Sequence, residues 1–221
     1  MTFSPELIDL IKTGIMETLV MVFASSAISY LIGIPLGIIL VVTDKDGIRP
    51  IPVLQKVLGI MINLLRSIPF IILLIMVLPL TRAIVGTTLG AEAVVPPLVI
   101  AAAPYIARMV ESSFKEVDAG VIEAAKSMGA STWQIIWKVL LPEAKPSLLV
   151  GAAISITTIL GYSTMAGFTG GGGLGTIAIN YGYYRYQTDM MLLNVALLVI
   201  IVQIIQEVFM KLSRSSDKRI R

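Results

Sequence analysis

The chain has 221 residues, of which 56% are hydrophobic and only 14% are charged, and its formal net charge is +3. Soluble globular domains carry about 25% charged residues, so this composition excludes an ordinary soluble domain and indicates a polytopic membrane protein. The chain contains neither cysteine nor histidine, which removes thiolate chemistry, the commonest metal ligand and the usual general base, and so argues against a hydrolase or a metalloenzyme.

The first hydrophobic stretch is predicted to be a retained membrane helix. Residues 1–9 contain two acidic residues and no basic one, so they lack the basic region with which a signal peptide begins. Residues 18–42 carry no charge and exceed the ~20 residues that cross a bilayer. Gly33, Pro35 and Gly37 within this stretch indicate a kink or close packing against a neighbouring helix.

Four further stretches are predicted to cross the membrane, at residues 57–80, 93–110, 147–168 and 190–210. Asn63 and Arg66 interrupt the first of these, and three prolines make the second the least regular. A polar segment at residues 111–146 separates the third and fourth spans of the chain, and a flexible Gly- and Tyr-rich external loop is expected before the last span. Residues 1–221 are therefore predicted to form one all-α membrane domain of five spans.

Basic residues set the predicted orientation, because cytoplasmic loops of membrane proteins collect lysine and arginine. Only Lys12, Arg82 and Arg185 fall on one side of the predicted bundle. The other side holds Lys45, Arg49, Lys56, Lys115, Lys126, Lys138, Lys145, Lys211, Arg214, Lys218, Arg219 and Arg221. We therefore expect the N-terminus outside the cell, and both the polar segment and the C-terminus in the cytoplasm.

The first short helix of the polar segment is predicted over residues 119–128. Asp118 is a suitable N-cap, and Gly129 suits the left-handed residue that ends a helix. One face of this helix would carry Val121, Ala124, Ala125 and Met128. A face of small and apolar side chains suits insertion into a groove on a partner protein, and it equally suits packing on the chain's own bundle.

The second short helix is predicted to begin at a capping box formed by Ser131 and Gln134. Its apolar stripe comprises Trp133, Ile136, Trp137 and Leu140. Pro142 and Pro146 are predicted to end it. Since tryptophan is enriched at membrane interfaces, we expect this helix to anchor the polar segment against the membrane.

The motif Glu123-Ala124-Ala125 is followed by Gly129 and, twelve residues later, by Leu141-Pro142. This pattern, in a loop before the penultimate span, resembles the EAA loop of ABC importer permeases and implies their type I fold. In that family the loop forms coupling helices on the ATPase subunits. The resemblance implies that two cytoplasmic ABC ATPase subunits, which bind ATP and magnesium, dock on Glu123, Ala124, Ala125, Met128, Gly129, Leu141 and Pro142.

Residues 63–74, 103–111, 161–165 and 172–175 resemble the methionine-importer permeases, and the similarity extends over nearly the whole chain. The resemblance implies a homodimer in the cell membrane that imports a small amino acid by alternating access, with L- or D-methionine as the expected substrate. It also implies an extracytoplasmic substrate-binding protein as partner. No catalytic residue, cofactor site, metal site or nucleic-acid partner is expected for this chain.

Four residues are candidates for the pathway or its gate: Met165, Ser163, Tyr162 and Arg66. Small neighbours around Met165 allow close helix approach, and a flexible methionine there suits a plug on a two-fold axis; ordinary packing is the alternative. Arg66 is an intramembrane charge, and such charges are costly and commonly functional. The alternative for Arg66 is an anchor whose head group reaches the membrane surface.

The glycines Gly170, Gly172 and Gly175 fit the spacing G-x-G-x-x-G. A dinucleotide site requires a preceding strand, whereas a membrane span precedes these glycines, so an external loop is the better interpretation. The tyrosines of this loop form either an interfacial belt or a surface for the substrate-binding protein. No Gly-Lys pair occurs in the chain, so the P-loop pattern is absent and ATP must be bound by another subunit.

Three alternatives to a methionine permease follow from the residues. One is a related ABC permease for another amino acid or small solute. A second is an ion-coupled carrier, against which the near absence of titratable residues in the spans argues, because proton relays need them. A third is a structural membrane scaffold. Arg108 and Glu111, three residues apart on a helix, are predicted to form an ion pair in any of these cases.

Overall fold

A computed structural model describes residues 4–217, and every regular element within that range is helical. The predicted all-α fold is therefore confirmed. Lys218, Arg219 and Arg221, three of the basic residues counted above, lie outside the described residues. The α-helices are α1 (Pro5–Val42), α2 (Pro52–Ser67), α3 (Phe70–Val85), α4 (Ala91–Lys115), α5 (Ala119–Ser127), α6 (Thr132–Ile135), α7 (Leu141–Met165), α8 (Gly173–Ile177) and α9 (Thr188–Ser216).

Four helical stretches of the described chain are long and apolar enough to cross a membrane: α1, α4, residues 132–169 and α9. A fifth crossing results if α2 and α3, which are bent by 105° relative to each other, count as one broken span. The described residues are thus consistent with the five predicted spans. The prolines of the third predicted span do not end it, because α4 continues through Pro96, Pro97 and Pro104 to Lys115.

The core of the bundle lies between α1 and α4. A Cβ atom on Gly37 would lie 2.6 Å from Cβ of Val110, and one on Gly33 would lie 2.7 Å from Cγ2 of Ile106. Side chains at these positions would therefore separate the two helices. The close packing predicted from Gly33 and Gly37 is confirmed, and it follows from the general use of small residues where membrane helices approach each other.

The first helix begins thirteen residues before the predicted start at residue 18. Ser4 is its N-cap and accepts a hydrogen bond from the N–H of Leu7, and Pro5 occupies the first turn, where its missing N–H has no cost. Acidic and basic residues in this first part excluded it from the hydrophobic window. A cap and a proline, rather than hydrophobicity, set the true boundary.

The second predicted span, 57–80, is not one straight helix. The α2 helix ends at Ser67 and α3 begins at Phe70, and Ile68 between them has extended backbone angles, with φ −81° and ψ 123°. The following Pro69 disfavours a helical conformation for Ile68, which explains the break. The bend of 105° turns this part of the chain through nearly a right angle.

The second short helix of the polar segment does not end at Pro142 and Pro146, contrary to the prediction. After α6, a π-helical turn at Ile136–Leu140 leads directly into α7, and the N–H of Leu141 donates to the carbonyl of Ile136 five residues earlier. The wider turn changes the hydrogen-bond register just before Pro142, whose missing N–H would otherwise break the helix.

The segment between the last two spans was also predicted incorrectly, because much of it is helical rather than a loop. Residues 166–183 form a 3₁₀ turn (Ala166–Thr169), α8 and a π-helical turn (Ala178–Tyr183), and they pack on α1. A Cβ on Gly175 would lie 2.5 Å from the carbonyl oxygen of Thr164, so this glycine allows α8 to approach the end of α7. The glycine-rich composition therefore reflects close backbone contact rather than flexibility.

Candidate functional site

The helix α5 carries the Glu-Ala-Ala motif and is closed at both ends as the sequence predicts. The Asp118 carboxylate accepts a hydrogen bond of 2.7 Å from the N–H of Gly120. At the other end Gly129 has φ +77°, its N–H donates to the carbonyl of Lys126, and the N–H of Ala130 donates to the carbonyl of Ala125. This pair of bonds is the Schellman motif, so Gly129 ends α5 by adopting the left-handed conformation.

Only one residue of the predicted face of α5 packs inward. Ala125 is buried in the core cluster, and the half-buried Ile122 packs beside it. The remaining members of that face, Val121, Ala124 and Met128, are exposed, and 81% of the Met128 surface is accessible. Glu123 is also exposed. The motif therefore presents apolar and acidic groups outward from the bundle.

The predicted apolar stripe of the second short helix divides in the same way. Ile136 and Leu140 are buried in the core cluster, together with Ile135, which the stripe did not include. Trp133 and Trp137 are 67% and 50% exposed and meet edge to face with ring centroids 5.4 Å apart. The predicted stripe therefore divides between the core and the outer surface of the described chain. The backbone becomes π-helical at Ile136–Leu140, so the 3.6-residue spacing does not hold across this turn.

The second part of the motif adjoins a polar cavity. Leu141 packs against the core cluster, whereas Pro142 is exposed and lines a cavity of about 350 Å³ between the ends of α4 and α9 and the beginning of α7. Ser213 of α9 donates to the carbonyl of Pro146 with a distance of 2.9 Å, and this bond holds α9 beside α7. The two halves of the motif thus lie at the same end of the bundle but on different surfaces of it.

The gate candidates on α7 point in different directions. Met165 is 45% exposed, and a Cβ on Gly161, one turn earlier, would meet nothing within 4 Å in the described part of the chain. Ser163 is buried and donates to the carbonyl of Leu160. Tyr162 is half-buried and stacks on Phe70. Met165 therefore lies on an open face of α7, whereas Ser163 and Tyr162 face neighbouring helices of the same subunit.

Arg66 lies in the last turn of α2, directly before the bend, and is exposed. Its guanidinium carbon lies 5.9 Å from the centre of the Tyr105 ring, at the outer limit of a cation–π contact. Arg66 therefore lies beside α4 next to the bend between α2 and α3.

The predicted ion pair of Arg108 with Glu111 is confirmed, with 2.6 Å between Arg108 Nη1 and Glu111 Oε2. The pair is part of a larger group, because Lys115 Nζ lies 2.9 Å from Glu111 Oε1 and 2.7 Å from Asp44 Oδ2. The hydrogen bond from Lys115 holds the pKa of Asp44 below its ordinary value, and the same bond raises the pKa of Lys115. The pair predicted from the sequence, Arg108 and Glu111, did not include Lys115 or Asp44.

Glu17 is a further functional candidate that the sequence did not reveal. Its Oε2 atom accepts a hydrogen bond of 2.6 Å from the N–H of Gly173, the first residue of α8, and the N–H of Leu174 donates to Oγ1 of Thr18. The contact joins residues 156 positions apart, so no local pattern could indicate it. Within residues 4–217, no group of three or more acidic, histidine or cysteine side chains is placed to hold a metal ion.

A protein-family model and individual known proteins match this chain in sequence. The family model of binding-protein-dependent transport system inner membrane components matches residues 33–221. A probable D-methionine transport system permease protein from Vibrio cholerae is 46% identical over 211 residues, which cover 96% of this chain and 94% of that protein. The D-methionine transport system permease protein of Escherichia coli K12 is 47% identical over 158 residues, covering 72% and 73% of the two chains.

The fold matches solved transporter structures. A chain of the MetNI methionine ABC transporter in an inward-facing conformation superposes with a TM-score of 0.95 at 44% identity, covering 98% of this chain and all of that one. An amino acid ABC transporter at 19% identity has a TM-score of 0.78 and shares the fold. This chain belongs to the family of binding-protein-dependent transport system inner membrane components.

Proposed function

We propose that this chain is the permease subunit of an ATP-driven importer of methionine. Permeases of D-methionine transport systems align with it along nearly its whole length, and a methionine ABC transporter has the same fold. The observation that carries the proposal is the outward face of α5. Glu123 and the C-cap residue Met128 are exposed there, and Gly129 ends the helix. A permease without an ATPase site of its own needs such a surface.

In this proposal the docking surface for two ATPase subunits comprises Glu123, Ala124, Ala125, Met128, Gly129, Leu141 and Pro142. Ala125 is buried and contributes by packing the helix against the core cluster. The exposed side chains of α5 enter a groove on the ATPase, which binds ATP and magnesium. Residues 111–146 and the C-terminus lie in the cytoplasm, the N-terminus lies outside, and residues 1–221 form one permease domain; the distribution of basic residues supports this orientation.

Transport in the proposal proceeds by alternating access in a homodimer. Closure of the ATPases on ATP draws the two docking helices together and opens the outward face of the permease, to which a substrate-binding protein delivers methionine. The open face of α7 that carries Gly161 and Met165 is the proposed lining of the closed pathway at the two-fold axis. The long, flexible side chain of Met165 suits a plug that must fill space in one state and leave it in the other.

The test of this function is uptake of labelled methionine by proteoliposomes that contain the permease, its ATPase and the substrate-binding protein. We expect uptake that requires ATP and is competed by unlabelled D- or L-methionine. Competition by a different amino acid with no effect of methionine would favour a related permease. Uptake driven by a proton or sodium gradient without ATP would favour an ion-coupled carrier, and a complex with no uptake of any amino acid would contradict the proposal.

A further inference from the structure

Four charged residues form a continuous series of contacts beside the bundle, and we call them the charge ladder: Asp44, Lys115, Glu111 and Arg108. Asp44 belongs to the connection between α1 and α2, and the other three are spaced along one side of α4. The three successive N–O distances are 2.7, 2.9 and 2.6 Å. None of the candidate docking or gate residues belongs to the ladder, so it is a separate feature.

One end of the ladder holds α2. Nη2 of Arg108 donates to the carbonyl oxygen of Gly59 and to Oδ1 of Asn63, each at 3.0 Å. A Cβ on Gly59 would lie 3.2 Å from the same nitrogen, so the guanidinium lies directly against the backbone of α2. Arg108 therefore binds Glu111 of its own helix with one nitrogen and two acceptors of α2 with the other.

The hold of Arg108 on α2 is significant because little else attaches this helix. Gly59 and Ile62 are the only buried residues of α2, and Ile62 packs with Leu40 and Ala107. The helix leads directly into the 105° bend and α3. The half-buried Leu58 adds to the same small cluster. A helix attached along one face by so few side chains can move relative to α4 more readily than a helix embedded in the core.

The charges of the ladder are bound tightly enough to act as one unit. The side chain of Glu111 is only 7% exposed, and a buried carboxylate is tolerated only where it is fully paired. Arg108 and Lys115 supply that pairing, one at each oxygen. Movement of either cation would leave one oxygen of this buried carboxylate without its ion-pair partner, so displacement of one member favours a shift of the others.

The other end of the ladder adjoins the Glu-Ala-Ala helix. Lys115 is the last residue of α4, and the N-cap of α5 follows three positions later at Asp118. Asp44 and Lys115 line a cavity of about 460 Å³, and its opposite wall includes Ile122 and Lys126 of α5. The cavity therefore lies between α5 and the α1–α2 connection, and its charged lining residues are Asp44, Lys45, Asp46, Lys115 and Lys126. Of these, Lys115 is the residue that continues the ladder along α4.

We propose that the charge ladder couples displacement of α5 to the position of α2, and thereby to the broken span formed by α2 and α3. The inference rests on the proposed function, which supplies the force on α5. Arg108 is a positioning residue in this scheme: it holds α2 on α4 in the conformation described here. A shift of α5 changes the position of Lys115, passes through Glu111 to Arg108, and releases or tightens the contact with Gly59 and Asn63.

Disulfide cross-linking tests the coupling directly, because the chain contains no cysteine. Ile62→Cys and Ala107→Cys introduce a pair into one packed cluster on α2 and α4. In the assembled complex with its ATPase, we expect the cross-linking yield to change at least threefold between the nucleotide-free state and the state with a non-hydrolysable ATP analogue. Arg108→Gln should make the yield independent of nucleotide and reduce uptake about tenfold while ATP hydrolysis continues.

Milder variants keep the test decisive if Arg108→Gln does not assemble. Asn63→Ala removes one acceptor on α2 without leaving Glu111 unpaired, and Lys115→Gln removes the step next to α5. Both should reduce the nucleotide response. The matched control is Lys45→Gln, which removes a neighbouring lysine whose contact with Asp46 is fully at the surface, with exposures of 80% and 83%; it should retain the full response.

Three outcomes separate the ladder from the proposed function. Loss of the nucleotide response in Asn63→Ala and Lys115→Gln but not in Lys45→Gln supports the ladder. Nucleotide-dependent cross-linking that persists in Arg108→Gln, Asn63→Ala and Lys115→Gln overturns it, whatever the substrate. ATP-dependent methionine uptake by the unaltered chain without any nucleotide-dependent cross-link overturns the ladder while supporting the proposed function.

Discussion

The ring of Tyr162 stacks on the ring of Phe70, with centroids 4.6 Å apart and planes only 6° from parallel. Phe70 is the first residue of α3, directly after the bend in the broken span, and Tyr162 lies in the last turns of α7. The stack therefore joins the bend of one span to the helix that carries Met165. It connects two stretches that each resembled methionine permeases but gave no sign in the sequence of touching.

The Tyr162–Phe70 stack should show a measurable coupling energy. Aromatic pairs contribute about 0.5–1.5 kcal/mol beyond the area they bury, so a double-mutant cycle of Tyr162→Leu and Phe70→Leu should give a coupling in that range. Thermal unfolding of the detergent-solubilised chain measures it. Tyr162→Phe keeps the stacked ring and serves as the control; additive effects of the two leucine variants would contradict a stabilising stack.

Replacement of Gly129 should uncouple the docking helix. Proline fixes φ near −65°, whereas Gly129 has φ +77°, and proline cannot supply the N–H that donates to the carbonyl of Lys126. We expect Gly129→Pro to abolish uptake while the chain still inserts into the membrane. Gly129→Ala should have a smaller effect, since alanine in the left-handed region costs about 1–2 kcal/mol. Full uptake by Gly129→Pro would contradict the docking assignment.

An added side chain should lower the stability of the subunit at Gly37 but not at Gly161. A Cβ on Gly37 would lie 2.7 Å from the carbonyl oxygen of Ala107, so Gly37→Val forces α1 from α4 and should cost at least the ~1–3 kcal/mol typical of overpacking. Gly161→Ala meets no atom within 4 Å in the described chain. Folded yield and thermal stability of the isolated subunit should drop for the first variant only. Equal behaviour of the two would show that the α1–α4 contact tolerates expansion.

The contact of Glu17 with α8 should depend on an acceptor oxygen at that position. Hydrogen bonds to charged groups contribute about 1.5–3 kcal/mol, so Glu17→Ala should lower the free energy of unfolding by an amount of that order. Glu17→Gln retains an oxygen that can accept from the N–H of Gly173 and should lose less. Protease protection of residues 166–183 gives a second readout. Equal protection in all three proteins would contradict a holding contact.

The contact between Asp44 and Lys115 in the charge ladder should be insensitive to pH near neutrality. Because the pKa of Asp44 is lowered in the folded chain, its contribution to the free energy of unfolding is complete above the ordinary pKa of about 3.9. That contribution is lost as the pH falls through the pKa of the folded state. Because the pKa of Lys115 is raised in the folded chain, its contribution to the free energy of unfolding is complete below its ordinary pKa of about 10.4. That contribution is lost as the pH rises through the pKa of the folded state. The pair is therefore intact between these limits.

Thermal melting of the unaltered chain and of Asp44→Asn measures this pH dependence. The difference in melting temperature should be the same at pH 5.5 and pH 8.5, and it should shrink below pH 4, where protonation removes the charge of Asp44 in the unaltered chain as well. A difference that changes between pH 5.5 and pH 8.5 would show that another titrating group controls this contact.

Local signals predicted the parts of the site that are held by neighbouring residues. The N-cap Asp118, the left-handed Gly129 and the capping box of Ser131 and Gln134 all occur as expected. Each of these depends on hydrogen bonds within a few residues, so residue type and spacing suffice to identify it. The pair of Arg108 and Glu111, one turn apart on a helix, was predictable for the same reason.

Backbone irregularities limited the prediction of helix ends and faces. The π-helical turn at Ile136–Leu140 carries the helix past Pro142, and Trp133 and Trp137 lie on the outer surface while Ile136 and Leu140 are buried. A spacing rule based on 3.6 residues per turn fails where one turn is wider. The break after Ser67 has a local cause in Pro69, but its angle of 105° is set by what Phe70 and α3 pack against.

The sequence by itself determined that this protein crosses a membrane about five times, that its helices approach closely at glycines, and that a capped helix with Glu123 lies between two spans. Composition and short-range hydrogen bonding fix such properties. Only the tertiary structure decided that Asp44 meets Lys115, that Glu17 holds α8, and that Tyr162 meets Phe70. These contacts join distant segments, and their formation depends on how the helices pack rather than on any pattern along the chain.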